Sequence, residues 1–218
     1  MSGFLDITLP NTVAKGVLRG DRGALADAYR VLSRAVMNMS TRILQDRHLA
    51  EEVVQDTFID LVEKAGQIQN SEAIVAWVRK VAVNHCLMRL RSPWHARRVE
   101  VDAHDVFEKS QTDDTMDWVA NVPTMEKALG QLSEEARSVV WLHDVEGYTH
   151  KEIGALMGKT SSFSKSQLAR AYEKLLVWQT QRDEQETAQR LSRSHSEPGT
   201  EGRHAKKSLG NIGTSCNG

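Results

Sequence analysis

The side chains best suited to chemistry in this sequence are polar and basic, and they are concentrated near residues 150–170. Lysine and arginine can bind phosphate or guanine, and glutamine can bind adenine. Lys165, Gln167 and Arg170 are left facing outward on a predicted helix whose inward side is apolar and begins with Phe163. These residue types on one exposed helical face predict a surface that recognises DNA.

Two short helices joined by a tight turn would position this face. Thr149 and Glu152 have the spacing of a capping box, which predicts the start of the first helix. Gly158 stands where a left-handed residue must end that helix, and Thr160 and Ser161 can accept the free amides of the next one. The layout is typical of a helix-turn-helix, whose second helix enters the major groove of DNA. The alternative interpretation is a helical hairpin with a solvated charged face.

The predicted DNA contacts of this motif lie in the N-terminal half of the second helix, which is the part that reaches base edges. The preceding helix adds two predicted contacts with the DNA backbone. The residues are Ser161, Ser162, Lys165, Ser166, Gln167 and Arg170, together with His150 and Lys151.

Charge is separated in the first half of the chain, although the net charge of all 218 residues is only −1. Residues 73–99 contain no acidic residue but several arginines and a lysine, whereas residues 46–63 are rich in aspartate and glutamate. Such a separation predicts two different partner surfaces on one small domain.

The hydrophobic periodicity is helical throughout and predicts an all-α fold with two small helical domains. In the first domain, helices are predicted at about 22–45, 48–65 and 72–91, with Asp46 as the candidate cap of the second of them. In the second domain, helices are predicted at about 125–132 and 134–145, followed by the helix-turn-helix. The acidic, weakly periodic segment between the domains predicts a flexible linker, and the polar C-terminal tail is expected to be disordered, with the last helix fraying to about Gln189. The predicted boundaries are 20–98, 99–124, 125–178 and 179–218.

Several classes of protein find no support in the sequence. The two cysteines, Cys86 and Cys216, form no zinc-binding pattern, and no catalytic constellation or phosphate-binding glycine loop occurs. No apolar run approaches the length of a membrane span. We therefore expect a cytoplasmic protein that is not an enzyme, inserts into no membrane and needs neither metal nor cofactor.

Three blocks of sequence carry a resemblance to a known family. They are RILQDRHLAEEVVQDTF at 42–58, AWVRKVAVNHCLMRLR at 76–91, and ALGQLSEEARSVVWLHDVEG at 128–147, which the helix-turn-helix follows. In this order the chain resembles bacterial sigma factors of the extracytoplasmic-function (ECF) type, the promoter-recognition subunits of RNA polymerase. The likeness covers about residues 25–178.

The resemblance implies two functional surfaces in the first domain. One docks on the clamp helices of the polymerase β′ subunit and consists of Glu52, Gln55, Asp56, Ile59 and Glu63. The other reads and melts the −10 element and consists of Arg79, Lys80, Asn84, Arg89 and Arg91, with Gln69 and Asn70 in the loop that receives a flipped-out base. Trp77 belongs to the apolar stripe, which favours core packing over base stacking.

The expected function is therefore that of a sigma factor that binds core RNA polymerase, contacts its β′ clamp helices and β flap, and directs initiation at two-part promoters. An anti-sigma factor is the expected regulatory partner. Two alternatives remain open: a helix-turn-helix regulator that does not associate with polymerase, and a sigma-like protein whose helix-turn-helix binds another protein.

Overall fold

This computed structural model describes residues 4–92 and 122–194, and helices dominate both ranges. Eight α-helices occur within them, and no strand does, which confirms the all-α prediction. In chain order they are α1 (Asn11–Leu18), α2 (Arg22–Leu44), α3 (Arg47–Lys64), α4 (Ile74–Leu90), α5 (Val122–Gly130), α6 (Glu134–Val140), α7 (His150–Met157) and α8 (Ser161–Ser194).

A single apolar stripe on α2 organises the core of the first half of the molecule (residues 4–92). Leu32, Val36, Met39 and Ile43 follow one another at helical spacing, and all are essentially fully buried. Helices α3 and α4 pack against this stripe, and each contributes its own buried apolar residues. This packing fixes the relative positions of the acidic helix α3 and the basic helix α4.

Side-chain caps set the beginnings of α2 and α3. Asp21 accepts a hydrogen bond from the amide of Ala24 at 2.8 Å, and Asp46 accepts one from the amide of Leu49 at 3.0 Å. An aspartate at this position satisfies an amide that would otherwise lack a partner. The cap predicted at Asp46 is thus confirmed.

No helix was predicted for residues 4–18, yet this segment is ordered and packed. A 3₁₀ turn at Phe4–Asp6 precedes α1, and Phe4 is buried. Helix α1 approaches α2 so closely that a Cβ added to Gly16 would lie 2.5 Å from the Cβ of Ala24. Gly16 is therefore required by the close approach of the two helices.

The second half (residues 122–178) contains α5 to α7 and the beginning of α8. Helix α6 continues into a π-helical turn at Trp141–Val145, so its predicted end near Val145 holds with a change of helix type. Helix α5 starts at Val122, within the predicted linker (99–124), and the rest of that linker lies outside the described residues, as do residues 93–98. Helix α8 continues to Ser194, beyond the predicted Gln189, because residues 179–194 keep good helix formers and contain no proline or glycine.

The chain divides into two compact units, Met1–Trp178 and Gln179–Gly218. Within the first unit the two halves of the molecule pack against each other. Arg137 on α6 donates from Nε to the carbonyl of Ile43 at the end of α2 at 2.9 Å, and the Arg42 guanidinium lies 5.5 Å from the ring centroid of Trp141. In the described ranges, no helix has both the length and the apolar character needed to cross a membrane.

Candidate nucleic-acid interface

The helix-turn-helix forms as its local signals predict. The hydroxyl of Thr149 accepts from the amide of Glu152 at 3.3 Å, and the Glu152 carboxylate accepts from the amide of Thr149 at 2.8 Å. The Thr149 hydroxyl also donates to the Glu152 carboxylate at 2.7 Å, and this hydrogen bond, together with the one from the Thr149 amide, lowers the pKa of Glu152 below its ordinary value. Gly158 ends α7 with a φ of 66°, the left-handed conformation that favours glycine. The capping box and the glycine together fix both ends of α7.

Gly154 determines how closely the turn can pass over α7. A Cβ at this position would lie 2.8 Å from the carbonyl carbon of Thr160 and 3.0 Å from the carbonyl oxygen of Lys159. Both atoms belong to the backbone and cannot move aside as a flexible side chain would. Thr160 then caps α8 by accepting from the amide of Phe163 at 3.1 Å. The tight connection between α7 and α8 thus needs glycine at 154.

The predicted base-reading residues lie together on the first turns of α8. Ser161, Ser162, Lys165, Ser166 and Arg170 are exposed, and Gln167 is half-buried. Ser166 donates from its hydroxyl to the carbonyl of Phe163 at 3.0 Å, which holds that side chain against its own helix. Lys165 and Arg170 have no hydrogen-bond or ion-pair partner among the described residues. Both cations are thus available to phosphate or guanine.

His150 contributes to the position of the recognition helix. Its Nδ1 lies 3.0 Å from the hydroxyl of Ser164, which is completely buried, and its ring stacks on His143 with centroids 4.6 Å apart. His143 is hydrogen-bonded to Asp144, which also accepts from the hydroxyl of Tyr172 on α8 at 2.9 Å. Burial and the neighbouring His143 lower the pKa of His150, so the uncharged ring is favoured. The neighbouring Lys151 is exposed, as its predicted contact with DNA requires.

Sequence reasoning missed the role of Ser164. Phe163 was assigned to the inward side of α8, and it is half-buried, whereas Ser164 is fully buried beside His150. The spacing of Ser164, Leu168 and Ala171 was the available signal, since positions four and seven residues apart lie on one helical face. A serine at an inward position signals a hydrogen-bond partner on the facing helix.

The predicted polymerase-binding residues form an exposed face on α3, here called the acidic face. Glu52, Gln55 and Glu63 are exposed, and 54% of the surface of Ile59 is accessible. Val62, one helical turn from Ile59, is 61% exposed and extends the apolar part of this face. Sequence reasoning missed Val62, although its i,i+3 spacing from Ile59 was visible.

Arg89, predicted to bind DNA, lies instead against the acidic face. Its Nη2 is 2.7 Å from the carboxylate of Asp56, and its Nε is 3.4 Å from that of Glu52. The structure therefore joins residues that the sequence analysis had assigned to two different surfaces. Contacts between helices adjacent in the bundle, α3 and α4, bring this about.

Two other predicted DNA-binding arginines on α4 and at its C-terminus point toward the second half of the molecule. Arg79 donates from Nη1 to the carbonyl of Glu146 at 2.9 Å, and its guanidinium lies 4.6 Å from the ring centroid of Tyr148. Arg91 donates from Nη2 to the carbonyl of Leu156 at 3.1 Å. In this arrangement the Arg79 guanidinium is half-buried between its partners, whereas Arg91 is exposed and has one donor bonded to the second half.

The remaining predicted −10 contacts are accessible. Lys80, Asn84 and Gln69 are exposed side chains. Asn70 is also exposed, and its side-chain Oδ1 accepts from the amide of Ala73 at 2.8 Å, which caps the 3₁₀ turn before α4. Trp77 is partly buried and packs against the core, which confirms the core-packing prediction for that residue.

Both halves of the molecule match sequence models of one protein family. A model for Sigma-70 region 2 matches residues 28–96, and a model for Sigma-70 region 4 matches residues 124–175. The RNA polymerase sigma factor CarQ of Myxococcus xanthus is 28% identical over 160 residues, which cover 72% of this chain and 89% of CarQ. The ECF RNA polymerase sigma factor SigM of Mycobacterium tuberculosis is 26% identical over 159 residues, covering 72% of this chain and 77% of SigM.

A solved structure has the same fold. It is the sigma factor RpoE from Bartonella quintana, crystallised in complex with the anti-sigma factor NepR. The TM-score is 0.50 at 22% sequence identity, and the match covers 69% of this chain and 92% of that chain.

Proposed function

This chain belongs to the sigma-70 family of RNA polymerase sigma factors, and we propose from that premise that it is an ECF-type sigma factor, which binds core RNA polymerase and directs transcription to specific promoters. The observation that carries the proposal is the presence of regions 2 and 4, in that order, in one chain. A helix-turn-helix alone would fit an ordinary regulator equally well. In this role the protein positions the polymerase and the DNA, and the polymerase makes RNA.

The acidic face is the proposed contact with the β′ clamp helices. Ile59 and Val62 would supply the apolar anchor at its centre, and Glu52, Gln55, Asp56 and Glu63 would supply the polar and charged rim. Interfaces of this kind take most of their affinity from a few desolvated anchors, while rim charges accelerate and orient the encounter.

The exposed residues of α8 are the proposed readers of the −35 element. Lys165 and Arg170 would bind guanine or phosphate, Gln167 would bind adenine, and the serines at the start of the helix would bind phosphate with the free amides. His150 and Lys151 would contact the backbone, although the bond of His150 to Ser164 makes positioning its main role. The second half would also contact the β flap.

The exposed part of α4 and the loop before it are the proposed −10 surface. Lys80 and Asn84 are available, and Gln69 and Asn70 lie in the loop proposed to receive a flipped base. Arg79, Arg89 and Arg91 would have to exchange their present partners for phosphate. An anti-sigma factor is a further proposed partner, because the exposed surfaces that serve polymerase and promoter are the ones that an inhibitor would cover.

The test is transcription in vitro with purified core polymerase on a genomic DNA library, with start sites read by sequencing. Addition of the protein should create a defined set of new start sites. Ile59→Asp should weaken binding to core polymerase at least about tenfold, because it places a charge at the centre of the proposed anchor. Val31→Asp is the matched control, since Val31 is 41% exposed on α2, away from the acidic face.

The opposite result also has a clear meaning. If the protein neither binds core polymerase nor changes the start sites, yet binds a specific duplex DNA, it is a helix-turn-helix regulator. Equal behaviour of the Ile59→Asp and Val31→Asp variants would remove the acidic face from the proposal.

A further inference from the structure

Part of the predicted −10 surface of the first half is bonded to the second half of the same molecule. Arg79 and Arg91, two of its cations, donate to the carbonyls of Glu146 and Leu156 in the second half at 2.9 and 3.1 Å. A guanidinium held by a carbonyl and by the face of Tyr148 cannot at the same time bind phosphate in the same geometry. Arg79 is therefore withheld from DNA for as long as the two halves stay together, and Arg91, which is exposed, keeps one of its donors on Leu156 over the same time.

The N-terminal segment reinforces this closure through one buried carboxylate. The amide of Phe4 donates to Oε2 of Glu146 at 3.4 Å, and Trp141 donates from Nε1 to Oε1 at 3.2 Å. Glu146 is only 1% exposed and Phe4 only 3%. Glu146 thus binds the N-terminal segment and Trp141 with its carboxylate, while its backbone carbonyl binds Arg79.

Phe4 is part of the core, and the 3₁₀ turn that contains it lies against α4. The segment therefore touches the basic helix of the first half and bonds to the second half at once. Burial of a phenylalanine side chain contributes a substantial hydrophobic free energy. This free energy would be lost if opening exposed the Phe4 side chain to water.

We propose that residues 4–6 form a latch that keeps the free protein closed, with Arg79 and Arg91 bonded to the second half and not to the −10 element until the two halves separate. The proposal rests on the proposed function as a sigma factor and adds its regulation. Deletion or weakening of the latch shifts the population toward an open form that can bind −10 DNA.

The same geometry assigns an order to the binding steps. Ile59 and Val62 are exposed in the closed form, so core polymerase can dock on the acidic face before any opening. Lys165 and Arg170 are exposed as well. Arg79 and Arg91 of the −10 surface are released only when the halves separate, so complete engagement of the −10 element follows docking on the polymerase.

Spin-label distances in the full-length free protein test the latch directly. Labels on Glu72→Cys and Glu173→Cys report on the two halves, and both positions are exposed. Cys216→Ser removes one native thiol; the other, Cys86, is buried, and burial raises its pKa to about 12, so it does not react with the label. The proposal requires a single short distance in the wild type and a longer, broader distribution in Phe4→Ala.

Thr8→Ala, an exposed change in the same segment, is the matched control and should keep the short distance. Without polymerase, Phe4→Ala should bind a forked −10 oligonucleotide roughly tenfold more tightly than Thr8→Ala, a coupling of ordinary size. Far-ultraviolet circular dichroism should be the same for both. If the wild type already shows long distances, or Phe4→Ala leaves distance and affinity unchanged, there is no latch.

A cross-link provides a second test that does not depend on weakening the fold. A Cβ at Gly130 in the second half would lie 3.6 Å from Oε1 of Gln45 in the first half, so Gln45→Cys and Gly130→Cys can be joined by a short, cleavable bis-maleimide. The cross-linked protein should bind core polymerase but not open promoters, and cleavage of the linker should restore opening. Full promoter opening by the cross-linked form overturns the proposal.

The two proposals fail in distinguishable ways. If the uncross-linked wild type directs no initiation with core polymerase, the sigma-factor function is wrong, while the spin-label distances still decide whether the latch exists. If the wild type initiates and the distances do not respond to Phe4→Ala, the function stands and the latch is wrong.

Discussion

The recognition helix α8 and the basic helix α4 both carry cations predicted to bind DNA, but they present these cations differently. Lys165 and Arg170 are exposed and unpaired among the described residues, whereas Arg79 is held by partners in the second half. Arg89 is held by Asp56 and Glu52 on α3. A run of basic residues in a sequence therefore shows where a charge can be used, and the tertiary fold decides when it can be used.

This difference has an energetic consequence. Binding of DNA by α8 requires no rearrangement of the described structure, so its contacts contribute fully to affinity. Binding by Arg79 and Arg91 first requires loss of their hydrogen bonds to the second half. Only the free energy of the new DNA contacts in excess of that loss appears as affinity. Substitutions on the two helices should therefore have unequal effects although the residue types are the same.

The largest expected effect is on the recognition helix. Lys165→Ala and Arg170→Ala should each weaken promoter engagement by about 1–3 kcal/mol if they contact bases, and a uniform loss with a shallower salt dependence would identify phosphate contacts. Arg79→Ala should cost less than either, because it removes a contact with DNA and also loosens the closed form. The measurement is promoter affinity of the polymerase complex on matched and mutated −35 elements at several salt concentrations.

Equal losses of promoter affinity for Arg79→Ala and Arg170→Ala would contradict this difference between α4 and α8. They would mean that Arg79 leaves its partners without a free-energy penalty. Lys80→Ala is the control on α4. Lys80 is exposed next to Arg79 and has no partner among the described residues, so its substitution should remove only a contact with DNA.

The features that could be predicted from the sequence are those that depend on residues close together in the chain. The capping box at Thr149 and Glu152, the left-handed Gly158 and the cap at Asp46 were all identified correctly, because each acts within four residues along the chain. The stripe on α2 and the exposed acidic face follow from helical spacing alone. These local rules were sufficient for the fold class and for placing most of the candidate residues on exposed surfaces.

What escaped prediction depends on contacts between residues far apart in the chain. Arg79 and Arg91 bind backbone carbonyls 67 and 65 residues away, and every residue has a carbonyl, so the sequence carries no mark of the acceptor. Phe4 lies in a short segment without periodicity, and only its burial against the two halves shows its role. Long-range contacts to the backbone are the part of this site that sequence patterns cannot reveal.

A smaller effect is expected from the ionisation of Glu146. Burial raises its pKa above the ordinary value of 4.5, and the amide of Phe4, the indole of Trp141 and the charge of Arg79 oppose that rise. The closed form, in which the Glu146 carboxyl is buried, therefore binds the carboxyl proton more tightly than an open form in which the carboxyl is hydrated. The protonated Glu146 carboxyl stabilises the closed form fully below the ordinary pKa. This stabilisation is lost as the pH rises through the raised pKa.

Spin-label distances between about pH 5 and 8 should accordingly show more open protein at higher pH. Glu146→Gln should flatten this dependence, since an amide cannot ionise yet can still accept a hydrogen bond. The nearby phenol of Tyr148 stays neutral here, because burial raises its pKa above the ordinary value of 10.0. A wild-type curve that is flat or has the opposite slope would contradict the prediction.

The smallest expected effect is at Arg89, where the two functional surfaces meet. Its carboxylate partners are largely hydrated, with 45% of the Asp56 side chain and 59% of the Glu52 side chain exposed, so the ion pairs should contribute about 0.2–1 kcal/mol to the free energy of unfolding. Urea titration of Arg89→Ala measures that loss. The same variant frees two carboxylates of the acidic face, so affinity for core polymerase should stay equal or rise slightly.

Binding of −10 DNA decides which surface Arg89 serves. If it works mainly as a partner of Asp56 and Glu52, Arg89→Ala should leave the salt dependence of −10 binding unchanged, whereas Lys80→Ala should make it shallower by about one counterion. An equal change in both variants would show that Arg89 leaves its carboxylates when DNA arrives. Arg89 would then behave like Arg79, as a cation that the folded protein holds until its nucleic-acid partner is present.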